Sequence, residues 1–157
     1  MDSWELSARE AIRETVASYA HFADSGRFAA FAELFAADGV LEVKGEPPLN
    51  GRDAIRLYLE GVGLDLEAAS TSVPMIRHHV SNLTIAVESP TAATGACYFL
   101  AVTEHGVDHW GRYRDRFVPA PFDATGERWL FAHRFVRTDG TSPGGWAAGR
   151  HSPSPTG

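Results

Sequence analysis

Several residue types are scarce in this chain, and each scarcity excludes a class of site. The single cysteine, Cys97, can form no internal disulfide and cannot by itself build a zinc or iron–sulfur site. The single lysine, Lys44, lies in a glycine- and proline-rich segment, which disfavours Schiff-base chemistry on a buried amine. With 20 acidic and 14 basic residues the formal charge is -6, which disfavours binding to nucleic acid.

Long apolar runs are also missing. No segment approaches the roughly 18 consecutive apolar residues of a membrane span, and the acidic start of the chain lacks the pattern of a signal peptide. We therefore expect a cytoplasmic protein that binds neither membranes nor nucleic acid. Glycine-rich nucleotide loops and Gly-x-Ser-x-Gly motifs are absent too, and no cofactor is predicted.

What the chain does contain is typical of one globular domain. It has 157 residues, of which 44% are hydrophobic and 22% charged. Seven residues are histidine, the side chain best suited to proton transfer near neutral pH. This composition favours an enzyme that uses acid–base chemistry.

The first half of the chain has helical periodicity. Ser7 and Glu10 match a capping box, so a helix is predicted to begin at Ser7, and its apolar residues at spacings of three and four continue to Asp24. Four further elements are predicted before Pro74: a short helix from Phe28 to about Gly39, a strand over Val40–Val43, a helix over Asp53–Glu60 and a loop over 61–74.

After Pro74 the apolar period changes to two, which predicts an antiparallel meander of four strands at about 76–88, 95–105, 109–118 and 128–138. Helices followed by strands indicate an α+β fold. We predict one domain over residues 1–138. The remainder, 139–157, is rich in glycine, serine and proline and is predicted to be a flexible tail, in which Trp146 is the side chain that could dock.

Six segments of the sequence closely resemble the SnoaL-like branch of the nuclear transport factor 2-like superfamily. They cover roughly residues 5–138, in the order AIRETVASYAHFADSGRFAAFAELFAADG, VLEV, GRDAIRLYLEG, RHHVSNLTI, GRYRDRF and GERWLFAHRFV. The resemblance implies a cone-shaped α+β barrel, in which N-terminal helices pack in a curved antiparallel sheet around an apolar cavity. Relatives include scytalone dehydratase, a dehydrochlorinase, steroid isomerases, polyketide cyclases and noncatalytic dioxygenase subunits, so the fold alone does not determine the reaction.

The resemblance also implies an aspartate–histidine pair. In the dehydratase and dehydrochlorinase branches, an aspartate near the end of the first helix pairs with a histidine on the strand after the third helix, and these places fall on Asp24 and His78. The choice of His78 over His79 depends on the register of Asn82. A second histidine used by the dehydratase is replaced here by Thr103. A carboxylate that orients an imidazole makes it a general base.

Strand alternation predicts which side chains face the cavity. His78 and Val80 alternate out of phase with Leu83, and a bulge near residues 81–82 would bring all three to one face. On the strand predicted at 109–118, five residues share the face that could line a pocket: His109, Gly111, Tyr113, Asp115 and Phe117.

The last strand leaves an alternative open. Alternation favours an inward His133, whereas the resemblance favours an inward Arg134. The acids and imidazoles between residues 104 and 109 could be taken for a metal cluster, but ligands at a hairpin tip would diverge into water, and no metal site is predicted.

These observations predict a cofactor-independent lyase, isomerase or cyclase that transfers a proton on a small apolar, for example polyketide-like, substrate. The predicted catalytic residues are Asp24, His78, Tyr113 and Asn82. The predicted substrate-binding residues are Tyr19, Phe22, Tyr58, His79, Tyr98, His109, Asp115, Trp129, His133 and Arg134. A homodimer is expected. The alternatives are a noncatalytic oligomerisation subunit and a small-molecule-binding protein.

Overall fold

The computed structural model describes residues 1–121 and 128–150. Within these ranges the helices are α1 (Ser3–Asp24), α2 (Phe28–Ala32), α3 (Arg52–Ala69) and α4 (Trp146–Arg150). The strands are β1 (Phe35–Val43), β2 (Leu49–Asn50), β3 (Ile76–Ser89), β4 (Ala92–Thr103), β5 (Gly106–Pro119) and β6 (Trp129–Thr141). None of the helices in the described part of the chain combines the length and the apolarity that crossing a membrane requires.

The strands form one curved, unclosed sheet in the order β2-β1-β6-β5-β4-β3. The predicted α+β class and the antiparallel meander β3–β6 are confirmed. The expectation of a wholly antiparallel sheet is wrong at one place, because β1 runs parallel to β6. The strand that lies among the helices, β1, therefore pairs with the last strand, β6. Parallel pairing of these two is possible because a long connection separates them.

Helix α1 packs its apolar face against the sheet. Ile12, Val16 and Tyr19 are buried in the core, as the three- and four-residue spacing predicts. The helix begins at Ser3 rather than at Ser7. The additional turn is stabilised by the pairing of Arg9 with Glu5 one turn earlier, so the capping-box serine lies inside the helix.

The chain after α2 leaves the helix earlier than its periodicity predicts. α2 ends at Ala32, and Phe35 already begins β1 opposite Phe131 of β6. The backbone N–H of Phe131 donates to the carbonyl of Leu34 at 2.8 Å. Pairing with a distant strand thus overrides the local helical pattern.

Helix α3 is longer than predicted and extends through the region interpreted as a loop. The predicted loop begins at Gly61, but Gly61 and Gly63 both lie inside the helix. A Cβ at position 63 would lie 3.0 Å from Cζ of Phe28, so this glycine allows α2 to pack closely on α3.

The segment after Asp139 differs from the predicted tail. β6 continues to Thr141, and α4 then packs against β5, so the ordered fold extends past residue 138. The backbone N–H groups of Trp146 and Ala147 donate to the Asp108 carboxylate, which explains how a segment of low apolar content is held. Residues 151–157 of the predicted tail, and residues 122–127 between the strands predicted at 109–118 and 128–138, lie outside the described residues.

Candidate active site

A cavity of about 150 Å³ lies between the helices and the concave face of the sheet. Most of its wall is apolar, with Phe31, Leu41 and Phe99 from α2, β1 and β4. The polar side chains among its lining residues are Tyr19, Glu46, Tyr58, His78, His109, Tyr113, Thr138 and Arg150. A mostly apolar cavity with a few convergent polar groups has the composition of a small-molecule site.

Asp24 and His78 contact each other at the edge of this cavity. Oδ1 of Asp24 lies 2.6 Å from Nδ1 of His78, and the backbone N–H of His78 donates to Oδ2 of Asp24 at 2.9 Å. Both side chains are largely buried. Because both carboxylate oxygens are engaged by the same residue, the aspartate and the imidazole hold each other in one orientation.

This contact determines which ring nitrogen of His78 can act on a ligand. Asp24 is an acceptor at Nδ1, so the neutral imidazole carries its proton there and Nε2 has the lone pair. The arrangement has the form of an oriented general base. His79, the alternative left open by the sequence, is exposed on the opposite face of β3.

The bulge predicted in β3 explains why His78 faces inward. The register of β3 against β4 shifts between Ser81 and Thr84, and Asn82 has φ of 56°. His78 and Leu83 consequently lie on the same face, as predicted. Asn82, however, is exposed and lies beside Tyr98 in a groove on the outer face. The structure therefore does not bring this predicted catalytic residue to the cavity.

A second carboxylate–imidazole pair borders the same cavity. Nδ1 of His109 lies 2.7 Å from Oδ2 of Asp108, whose side chain has no exposed surface. Ala101 of β4 opposes His109, whereas Val102 opposes Val107, so Asp108 is the extra residue of a bulge. The bulge turns two residues that are adjacent in sequence toward one another.

The Asp108 carboxylate has further donors. The backbone N–H of Trp146 donates to its Oδ1 at 2.6 Å, and that of Ala147 donates to its Oδ2 at 3.1 Å. Backbone amides from α4 thus stabilise a buried negative charge next to His109. Asp108 was not predicted as a site residue, because it was interpreted as part of the turn at the hairpin tip. The only signal in the sequence was its position immediately before a histidine predicted to face inward.

Two tyrosines of the cavity wall pack on a buried arginine. Arg134 donates to Asp115 in a bidentate pair at 2.7 and 2.8 Å, and its Cζ lies 4.1 Å from the ring centroids of both Tyr19 and Tyr113. Burial alone would lower the pKa of Arg134, but the Asp115 carboxylate outweighs burial and raises it. The arginine therefore stays charged beneath the two rings.

The tyrosine hydroxyls stay protonated for a related reason. Burial raises the pKa of Tyr19 and raises that of Tyr113 well above its usual value. Two causes raise the pKa of Tyr58 to about 12: burial, which is the larger, and the negative charge of Glu46. Tyr19 and Tyr113 therefore carry a neutral O–H at neutral pH, as does Tyr58, whose O–H donates to Glu46.

The choice between His133 and Arg134 is decided by strand register. In β6, Phe131 opposes Phe117 and His133 opposes Arg116, so the pairing shifts by one residue between them. Arg134 consequently lies inside with no exposed surface. His133 is partly exposed and hydrogen-bonded to Glu42 at 2.9 Å, contrary to the alternation pattern.

The predicted site residues therefore divide into three groups. Tyr19, Tyr58, His78, His109 and Tyr113 line the cavity. Three others support the lining residues without lining the cavity: Asp24 contacts His78, Arg134 packs on Tyr19 and Tyr113, and Asp115 pairs with Arg134. The residues that do not belong to the cavity lining are Phe22 and Trp129, which pack in the core, and His79, Asn82, Tyr98 and His133, which are partly or fully exposed.

Several cavity residues were not predicted from the sequence. Glu46 lies in the glycine- and proline-rich segment, Thr138 is at the end of the predicted domain, and Arg150 belongs to α4. Trp146, considered as a docking side chain, also lines the cavity. In residues 1–121 and 128–150, no three histidine, cysteine or acidic side chains are grouped as metal ligands.

Residues 4–141 of the chain match the model of the SnoaL-like domain family. No curated protein matches the chain.

Solved structures share the fold. An NTF2-like protein with a cystatin-like fold from Novosphingobium aromaticivorans is 28% identical with a TM-score of 0.73, over 88% of this chain and 86% of that one. A protein from the same organism that has the provisional name scytalone dehydratase is 27% identical with a TM-score of 0.74, over 90% and 91% of the two chains. ActVI-ORFA from Streptomyces coelicolor, 21% identical over 83% of this chain and 97% of that one, has the same fold with a TM-score of 0.70.

Proposed function

The chain belongs to the SnoaL-like domain family, and from this premise we propose that it is a cofactor-independent enzyme that moves a proton at a carbon atom of a small, mostly apolar molecule. The observation that carries the proposal is the 2.6 Å contact between Asp24 and a histidine that lines an apolar cavity. The similarity to a protein provisionally named scytalone dehydratase supports the same class of chemistry.

Each residue has a role in this proposal. His78 accepts the proton from carbon at Nε2, while Asp24 holds the ring and stabilises the imidazolium that forms. Removing a proton next to a carbonyl places negative charge on oxygen. The O–H of Tyr113 stabilises that charge by donating to it, and the buried Arg134 beneath the ring adds a favourable field.

A substrate need not be known to test the proposal. The bicyclic ketone 1-tetralone carries weakly acidic hydrogens at the carbon next to its carbonyl, and their exchange for deuterium in D₂O is followed by proton NMR. The protein is expected to accelerate the exchange. His78→Asn, which keeps an amide donor for Asp24 but removes Nε2, should lower the acceleration by at least about 100-fold.

The matched control is His105→Asn, the same change at an exposed hairpin histidine, and it should exchange the ketone as the unmodified protein does. Thermal unfolding of each variant verifies that it is folded. Equal exchange by His78→Asn and the unmodified protein would overturn the proposal. If the unmodified protein binds 1-tetralone without accelerating exchange, the small-molecule-binding alternative is favoured instead.

A further inference from the structure

The cavity has a polar group of side chains that the proposed proton transfer does not use, formed by Glu46, Tyr58 and Arg150. We propose that Glu46 and Arg150 form a subsite for a hydroxyl group at the far end of the substrate. The hydroxyl would donate to the carboxylate and accept from the guanidinium. The two side chains would then determine specificity without taking part in the reaction. This inference rests on the proposed function and adds a feature of the substrate to it.

The sheet places Glu46 opposite His78. Glu46 follows β1, whereas His78 is on β3, and the strand order puts β6, β5 and β4 between them. Four strand spacings of about 4.8 Å separate β1 from β3, which is about 19 Å along the sheet. The curvature of the sheet shortens the direct distance, but the two side chains still face the cavity from opposite sides. A ligand that presents a carbon atom to His78 therefore directs its other end toward Glu46.

A tight turn fixes the position of Glu46. The backbone N–H of Glu46 donates to the carbonyl of Val43 at 2.9 Å, and Gly45 within the turn has φ of 91°. Pro47 follows and restricts the backbone of the residue before it. The Glu46 carboxylate accepts the O–H of Tyr58 from α3. Because a carboxylate offers more acceptor positions than one donor uses, Glu46 can accept a second hydrogen bond from a ligand.

Arg150 is held by two contacts at the same end of the cavity. Its Nη1 donates to Oδ2 of Asp65 at 2.6 Å, and its Cζ lies 4.9 Å from the ring centroid of Trp146. Within the part of the chain that the structure describes, Asp65 is the only hydrogen-bond partner of this guanidinium. An arginine has five N–H donors, so several are left for a ligand oxygen. The side chain is 27% exposed, and a hydrogen bond to it is partly shielded from competing water.

Glu46 and Arg150 both lie close to Tyr58 but do not pair with each other. Burial has the largest effect on the pKa of Tyr58, and beyond burial the charge of Glu46 raises this pKa while that of Arg150 lowers it. In residues 1–121 and 128–150, no ion pair joins Glu46 to Arg150, whose guanidinium binds Asp65 instead. The carboxylate and the guanidinium are therefore separate neighbours of one tyrosine, and one ligand group can contact both.

The charges at this end of the cavity favour a hydroxyl over other groups. Arg150 is already paired with Asp65, and Glu46 adds a second negative charge, so a substrate carboxylate would be repelled. An apolar group would displace water from Glu46 and Arg150 without replacing its hydrogen bonds. A hydroxyl is neutral, and it both donates and accepts, so it satisfies the two side chains at once.

The test compares ligands that differ only on the aromatic ring of 1-tetralone. 7-Hydroxy-1-tetralone carries a hydroxyl on that ring, remote from the carbon that His78 would deprotonate. 7-Methoxy-1-tetralone keeps the oxygen but cannot donate, and 7-carboxy-1-tetralone replaces the hydroxyl with a negative charge. Dissociation constants are measured by isothermal titration calorimetry, with the unmodified protein and with His78→Asn, so that binding is observed independently of turnover.

The unmodified protein should bind the hydroxy ketone at least about tenfold more tightly than the methoxy or the carboxy ketone. Glu46→Ala and Arg150→Ala should each remove this preference and leave the affinity for 1-tetralone within about threefold. The matched controls are Glu67→Ala and Arg114→Ala, the same changes at exposed positions outside the cavity, and both should retain the preference.

Asp65→Ala separates contact with the ligand from attachment of α4. It breaks the same ion pair as Arg150→Ala but keeps the guanidinium, so the preference for the hydroxy ketone should survive. Equal loss of the preference in the two variants would overturn this inference, because loosening of α4 would then explain it. So would equal binding of the hydroxy and methoxy ketones by the unmodified protein, or tighter binding of the carboxy ketone. In these cases the proposed function stands, because it fails only if His78→Asn leaves exchange of 1-tetralone unchanged.

Discussion

Asp24–His78 and Asp108–His109 present the same pair of groups to one cavity, yet the chain assembles them differently. Asp24 and His78 are 54 residues apart and meet because α1 packs across β3. Asp108 and His109 are adjacent and meet because a bulge displaces one of them from the alternation of β5. One pair depends on helix-to-sheet packing, and the other on strand register.

The carboxylates also differ in what holds them. Asp24 receives a backbone N–H from the same histidine that it orients. Asp108 receives two N–H groups from α4, a helix whose residues also line the cavity. The comparison indicates that the first pair is preformed by the core of the domain, whereas the second is complete only while α4 is in place.

Asp24→Asn tests the first pair and should have the largest effect. Oδ1 would keep accepting the backbone N–H of His78 after the amide rotates, so its NH₂ group would face Nδ1. This forces the imidazole proton onto Nε2, and the ring can no longer act as a base. We expect exchange of 1-tetralone to fall by at least about 100-fold, with ¹⁵N NMR of histidine reporting the altered tautomer.

Asp139→Asn is the matched control, since Asp139 pairs with Arg112 on the outer face of the sheet. It should leave both the exchange rate and the tautomer of His78 unaltered. An Asp24→Asn protein that retains its exchange activity would show that the first pair does not orient a base.

Asp108→Asn makes the same change in the second pair, where the carboxylate also accepts the backbone N–H groups of Trp146 and Ala147. An amide offers only one acceptor oxygen where the carboxylate serves donors at both oxygens, so α4 should bind less tightly. The free energy of unfolding should fall by about 1–3 kcal/mol, measured by urea denaturation. Hydrogen exchange of the amides of Trp146 and Ala147 should accelerate. If these amides remain protected, the dependence of the second pair on α4 is wrong.

Ala101→Val alters the space between the two pairs and should have the smallest effect. Ala101 opposes His78 on one side and His109 on the other. The two added methyl groups narrow the gap between the imidazoles, so the dissociation constant of 1-tetralone should rise about tenfold at a stability cost of about 1–3 kcal/mol. Ala93→Val is the control, because Ala93 is equally buried on the same strand but opposes Phe117. A similar rise in the dissociation constant in both variants would mean that the effect is general overpacking.

The sequence predicted local features well where one element determines them. The apolar stripe of α1, the inward face of β5 and the bulge near Asn82 are all present. Predictions failed where two elements interact: α3 continues through Gly63 because that glycine contacts Phe28, and β1 begins early because Phe35 pairs with β6. Local propensity contains no information about such partners.

The candidate site shows the same division. Asp24 and His78 were predicted on the resemblance, and Tyr113 on strand alternation. Asp108 was missed and Asn82 misplaced, and in both cases the reason is the bulge in which the residue lies. Because side chains on a strand alternate, a shift of one residue moves a side chain to the other face of the sheet.

The sequence by itself determined the α+β class, the order of the main helices and strands and the apolar faces that they bury, because these follow from periodicities within single segments. Only the tertiary structure decided that Arg134 rather than His133 is buried, that Asp108 joins His109 and that α4 borders the cavity. The physical reason is that strand register and helix docking are set by hydrogen bonds between segments distant in sequence, and a pattern read along one segment does not contain them.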